Sequence, residues 1–424
     1  MDSAVPRSLL PDTAVIDGRG RLSVGGVDLL DVASEHGTPL FVYDETHLRA
    51  RCREALAAFG DGVAYASKAF LCLAMARLVH EEGLYLDVAT GGELHVAVAA
   101  GVPPDWFVVH GNNKSDDELV DAINIGVHRI VIDSFDELDR LERLVESTGA
   151  QPPRVLVRVT PGVEAHTHEY VMTGQVDSKF GFGLGSGDAA AAVERARRSA
   201  QLDLVGLHAH IGSQIFLTHS FEKAVGVLAD FARPLALPEL CLGGGLGVPY
   251  VAGEDAPSIT EWGDTLRRAC EAAGLTAKVT AEPGRAIAAT AGLTLYRVGT
   301  IKDIRGVRTY VSVDGGMSDN PRPVLYGSGY EAFLPRATRA QRPRVVTVVG
   351  KHCESGDVVV RDARVPDDIA VGDVLCTPVT GAYGYSMASN YNKVTRPAVV
   401  FVGEGQARVV VRREVNDDLV RMDE

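Results

Sequence analysis

The sequence has no apolar run near the about 18 residues that a membrane-spanning helix needs. Its first twenty residues lack the basic, then apolar, then small-residue order of a secretory signal, so none is expected. The cysteines (Cys52, Cys72, Cys241, Cys270, Cys353 and Cys376) show neither C-x-x-C spacing nor a disulfide-framework pattern. Reduced thiols in a cytoplasmic enzyme are therefore expected. Positive charge is also short. Lys and Arg number 42 against 56 Asp and Glu, a net charge of −14, which argues against non-specific binding to nucleic acid or anionic membrane. There is no internal repeat and no low-complexity linker, and the G-x-G-x-x-G dinucleotide fingerprint with its downstream acid is missing.

What remains is a globular composition, 46% hydrophobic and 23% charged, in 424 residues, long enough for two or three domains. Residues 1–39 hold short alternating pieces (Ala14 to Asp17, Leu22 to Val24) between Gly-rich turns and read as a few strands. From Pro39 to about Gly292, apolar runs alternate with longer amphipathic stretches. The runs are 63–66, 84–88, 107–110, 129–132, 155–159, 204–208, 240–242 and 278–281, with helical segments expected between them. Eight strands with helical crossovers suit a parallel (β/α)8 barrel, with a doubly wound open sheet as the competing reading. Polar residues follow the runs directly: Lys68, Asp87, Gly111-Asn112, Asp133-Ser134, Thr160-Pro161-Gly162, His210, Gly243 and Glu282. That placement favours the barrel, whose strand ends converge on one mouth. After Gly292 short β-branched runs predict an all-β domain joined by N-terminal strands. The expected division is 1–39, 40–291 and 292–424.

The chemistry is organised around Lys68. In V-A-Y-A-S-K-A-F it follows a buried-strand signature, where desolvation and neighbouring charge can lower an amine's pKa for nucleophilic work. The G-G-G-L-G of residues 243–247 lets backbone N–H groups approach an anion, and a helix after it would add its N-terminal dipole. In H-A-H-I-G-S-Q, His208 and His210 are expected on opposite faces of the strand end. That argues against a shared metal site, and none is expected elsewhere. His208 reads as a core histidine, His210 as a ligand to an organic group. In E-P-G-R, Glu282 is either half of a structural ion pair with Arg285 or an acid that keeps a ring nitrogen protonated. Three clusters in the β domain suggest a lid: Asp314 to Tyr326, K-H-C-E-S-G-D at 351–357, and G-A-Y-G-Y-S at 381–386.

Taken in order, Y-A-S-K-A, V-E-A-H-T-H-E, K-F-G-F, H-I-G-S-Q, G-G-G-L-G, E-P-G-R-A, V-D-G-G-M-S-D-N, G-K-H-C-E-S-G-D and G-A-Y-G-Y-S span nearly the whole chain. The sequence resembles the alanine-racemase-like (fold type III) pyridoxal phosphate decarboxylases, and within them the diaminopimelate decarboxylase family of the actinobacterial kind. The resemblance implies that Lys68 carries pyridoxal 5'-phosphate covalently, His210 stacks on its ring and Glu282 pairs with the ring nitrogen. It implies phosphate contacts from Ser213, Gly243, Gly244, Gly245, Gly284, Arg285 and Tyr383. Arg285, Arg322, Tyr326 and Tyr383 would bind substrate, with Glu354 near a substrate amine and Cys353 of a partner subunit as proton donor, in a homodimer with shared sites. Two arginines, a tyrosine and one glutamate suit a distal zwitterion, which carries both amine and carboxylate. A decarboxylase for ornithine, lysine or a secondary-metabolic amino acid is the alternative, and Pro321, where an apolar residue is usual, bears on it through the Arg322 loop.

Overall fold

A computed structural model describes residues 5–162 and 177–424. The motif V-E-A-H-T-H-E, at 163–169, lies outside the described residues. The chain forms two compact units, one of residues 51–247 and 256–286, the other of 1–50, 248–255 and 287–424.

In the first unit eight parallel strands follow one another around a ring: Ala64–Ala66, Tyr85–Val88, Phe107–Val109, Arg129–Ile132, Arg154–Thr160, Asp203–Ala209, Glu239–Cys241 and Lys278–Thr280. A short strand, Phe182–Gly183, pairs with Arg154–Thr160 on the side. The ring closes through backbone bonds from Ala64 N–H to Ala281 O (3.0 Å) and Ala66 N–H to Pro283 O (3.3 Å). Ala64, Val108, Val131, Leu156, Val205 and Cys241, from six different strands, form one buried cluster. Such layering is how a barrel of this size fills its interior with side chains.

The crossovers are helical for local reasons. Ser115 and Ser258 each form a reciprocal capping box, with Glu118 and Glu261, at the starts of Asp116–Ile125 and Ile259–Ala272. Thr90 and Ser134 cap Gly91–Ala99 and Phe135–Thr148. Gly126 and Gly149, both left-handed, end two of these helices. The expected parallel barrel is therefore the observed one, and the open sheet is excluded.

The second unit is built on the long strand Gly292–Ile304, which pairs antiparallel with Leu40–Asp44, Arg308–Val313 and Val374–Pro378. Leu40–Asp44 in turn pairs parallel with Ala398–Gly403. A small antiparallel sheet of Val15–Ile16, Leu22–Val24 and Val27–Asp28 belongs to the same unit. Its turn meets the far end of Ala398–Gly403, where Gly405 N–H donates to Gly25 O at 2.8 Å. Among the described residues no helix is long and apolar enough to cross a membrane.

Candidate active site

Every polar group that the sequence places after a barrel strand lies at a strand end. Lys68 sits in the turn Ser67–Ala69, two residues past the strand Ala64–Ala66. It is exposed, at the rim where a lysine just past a strand is expected. Its charge nevertheless acts on Asp87, Glu93 and His210, which places those groups around it.

Glu282 is the electrostatic centre of the unit. It follows Lys278–Thr280 and is buried. Its Oε1 lies 2.9 Å from His110 Nε2 and its Oε2 3.0 Å from His208 Nε2. Burial opposes its charge, but the two imidazoles outweigh burial and hold the carboxyl well below the usual carboxylate range. Asp87 is pushed the other way, up to about 6, by burial first and also by Glu282, against the pull of His110 and Lys68.

His208 and His210 are not on opposite faces. Residues two apart on a strand share a face, and the electrostatic surroundings of His210 include His208 and Glu282. Its Nδ1 accepts a hydrogen bond from Gly244 N–H at 3.1 Å. His208 is a buried core histidine, as expected, but the partner of its Nε2 is the site's own acid.

The glycines of 243–245 are needed for backbone packing. A Cβ on Gly244 would fall 2.4 Å from Glu282 O, and one on Gly245 2.4 Å from Gly212 O. The expected helix after them is absent, since the next begins at Ile259. A single turn, Arg285–Ala288, instead starts beside Gly284. Arg285 Nη2 donates to Ser213 Oγ at 2.8 Å, which joins two of the expected phosphate contacts.

In the other unit, Arg322 and Tyr326 share the short helix Arg322–Tyr326. Pro321 does not disorder it: its φ of −76° and ψ of −10° are helical. The Arg322 guanidinium is buried 4.3 Å over the Tyr250 ring and donates to the Tyr250 hydroxyl and to Ser328 Oγ, the latter at 3.1 Å. Cys353 and Glu354 are exposed. Two residues that sequence reasoning missed hold their loop. Asn392 Oδ1 accepts from Cys353 N–H at 3.3 Å, and the Tyr391 hydroxyl donates to Glu354. Tyr383 has a φ of 60°, a left-handed conformation uncommon for a ring-bearing residue.

His208 also makes stability depend on pH. Its pKa is lowered from 6.5 to about 4, mainly by burial. The unfolded chain therefore takes up this proton first, so stability falls as pH drops from about 6.5 toward 4. The depressed carboxyl of Glu282 acts in the same direction as pH falls through its folded value. Asp87, raised to about 6, and His110, also raised, act in the opposite direction over this range. The His208 share, on the order of 2 to 3 kcal/mol between pH 7 and pH 4.5, is therefore read as the difference in pH dependence of denaturant unfolding between wild type and His208→Asn. Unfolding free energies that shift equally with pH in wild type and His208→Asn would contradict this.

A primary amine at the rim, a buried ionised carboxylate, and a cluster of N–H and hydroxyl donors fit the aldehyde, ring nitrogen and phosphate of pyridoxal phosphate. Ser67 Oγ, buried beside Lys68 with no hydrogen-bond partner in the structure, is consistent with a polar ligand there. The profile of the family described as "Pyridoxal-dependent decarboxylase, pyridoxal binding domain" matches residues 45–289. The diaminopimelate decarboxylase of Mycobacterium tuberculosis is 49% identical over 97% of this chain and 97% of its own length. That of Bacillus subtilis is 45% identical over 95% of both. The crystal structure of diaminopimelate decarboxylase from M. jannaschii in co-complex with L-lysine superimposes with a TM-score of 0.90, at 32% identity, covering 97% of this chain and 98% of that one. The chain belongs to the diaminopimelate decarboxylase family of pyridoxal-dependent decarboxylases.

Proposed function

We propose that the chain catalyses the pyridoxal phosphate-dependent decarboxylation of meso-2,6-diaminopimelate to L-lysine and CO2, the last step of lysine biosynthesis. The observation that carries this reading is the near full-length identity to decarboxylases of that name. In the reaction the bond from the α-carbon to a carboxylate breaks, CO2 leaves without the bonding pair, and a proton takes its place. Bound pyridoxal phosphate supplies the electron sink for that pair.

The roles of this chain's residues follow from their chemistry. Lys68 would hold the cofactor covalently through Nζ. Glu282, kept anionic, would pair with the ring nitrogen of the bound cofactor and hold its proton. His210, with Nδ1 committed to Gly244, has its ring fixed for stacking. Ser213, Gly243, Gly244, Gly245, Gly284, Arg285 and Tyr383 bind the phosphate, with Arg285 and Tyr383 also toward substrate. Arg322 and Tyr326 take the distal carboxylate and Glu354 the distal amine. Cys353, from the partner subunit of a homodimer, donates the proton. A cytoplasmic location is the reading that the cysteine spacing supports, since it suits reduced thiols.

The test is the amine formed when the cofactor-loaded protein meets meso-diaminopimelate, ornithine and lysine in parallel. Lysine and CO2 from the first alone are expected, whereas preferential turnover of either diamine precursor would overturn the substrate assignment. Arg322→Ala is expected to raise KM for diaminopimelate roughly 30-fold or more, the cost of a lost charge-assisted hydrogen bond. Any residual activity on lysine, which has no distal carboxylate, should hardly change. Equal losses on both substrates would mean that Arg322 serves its loop through Tyr250 and Ser328.

A further inference from the structure

A carboxylate turns easily about the bond to its methylene, because that torsion has broad, shallow wells. One hydrogen bond leaves such a group free to swing. Glu282 has two, one to each oxygen, from rings inclined at 68° with centroids 4.9 Å apart. His110 immediately follows the strand Phe107–Val109, and His208 lies within Asp203–Ala209. Both rings are buried, so solvent cannot easily replace either donor.

We propose that His110 and His208 are positioning residues for the decarboxylation, clamping the Glu282 carboxylate in a single plane for the cofactor's ring nitrogen. The proposal rests on the reading of Glu282 given above. The two rings contribute differently. His208 Nδ1 is buried without a hydrogen-bond partner, which suits a neutral ring carrying its proton on Nε2. His110 Nε2 lies 2.9 Å from Glu282 and also 3.7 Å from Asp87 Oδ1, between two carboxylates that favour its charged form. Arg158, His208, Glu93, His210 and Lys68 also act on groups of the cluster, and Arg158 is itself paired with Asp133 at 3.4 Å. His110 thus supplies both a donor and a positive charge, His208 a donor alone. The three side chains lie within 4.8 Å of one another and are a set that can ligate zinc. Their nitrogen–oxygen separations of 2.9 and 3.0 Å are those of direct hydrogen bonds.

The experiment compares cofactor-loaded wild type with His110→Leu, His110→Gln and Glu282→Gln. It records kcat and KM separately, the visible spectrum of the bound cofactor against pH, and the melting temperature. His110→Leu removes donor and charge, so kcat is expected to fall ~30-fold with KM changed less than about threefold. The spectral midpoint should rise by about a pH unit, because a positive charge near the ring is gone. His110→Gln keeps an N–H donor without the charge. It should recover kcat to within about fivefold of wild type while showing the same spectral shift. A purely structural role would lower the melting temperature without moving the spectral midpoint.

A folded His110→Leu protein with wild-type kcat and midpoint, beside an impaired Glu282→Gln, would sink the clamp and leave the Glu282 reading standing. An unimpaired Glu282→Gln would sink that reading and the clamp with it. If His110→Leu does not fold, an unshifted midpoint in His110→Gln is the overturning result. Stoichiometric zinc in the wild type, whose removal by chelator alters the spectrum, would replace the clamp with a metal site.

Discussion

Glu282→Gln is expected to keep the cofactor bound and to lose at least about a hundredfold in turnover, on the order of 3 kcal/mol or more of transition-state stabilisation. The reason is the charge held at that position. Two imidazoles keep the carboxylate ionised in a buried setting, and an anion there is what keeps a ring nitrogen protonated and the ring electron-poor. A neutral amide cannot do this. The variant should still fold, because the environment can adapt. An amide offers one acceptor and one donor, so one imidazole must accept where it now donates. His208 can make that change by moving its proton to Nδ1, which has no partner to lose. Steady-state turnover, with the cofactor content of each preparation measured by absorbance, provides the check. Turnover within threefold of wild type would remove Glu282 from the mechanism.

The barrel was legible because its strands announce themselves twice, by a short apolar run and by the polar residue that ends it. Arg129–Ile132 was delimited from sequence as the structure has it, and most other strands to within one or two residues. Leu40–Asp44 carries the same signature, L-F-V-Y-D, and all five residues are buried. Its membership in the other sheet depends on pairing with Gly292–Ile304 and Ala398–Gly403, each some 250 residues or more away, and no local pattern encodes that. His110 is a different case. It ends an apolar run just as His210 does, but it was read as the last strand residue and the polar role passed to Gly111 and Asn112. The divergence expected of His208 and His210 failed on simple strand geometry, which puts alternate residues on the same face. Nothing in the sequence marks Asn392, which meets Cys353 only because the loop returns to it from 39 residues further along.

Lys68→Ala and Cys353→Ala homodimers are each expected to be nearly inactive, and mixing them is expected to restore about a quarter of wild-type activity, by the two-fold symmetry of a dimer with shared sites. The argument starts from chemistry. Lys68 lies at a barrel strand end, whereas Cys353 lies in an exposed loop of the other compact unit, held at its backbone by Asn392. If each site combines the lysine of one subunit with the thiol of its partner, a mixed dimer concentrates both lesions in one site and leaves the other intact. Random re-pairing of equal amounts makes about half the dimers mixed, and each mixed dimer has half its sites. Two affinity tags used in succession isolate the mixed species, so recovery can be measured per verified heterodimer. Lys68→Ala should also lose the visible band of covalently held cofactor, while Cys353→Ala should keep it, so each lesion is recognised before mixing. Activity near half of wild type in purified heterodimers supports the shared site. Heterodimers as inactive as their parents would mean that Cys353 serves the lysine of its own subunit.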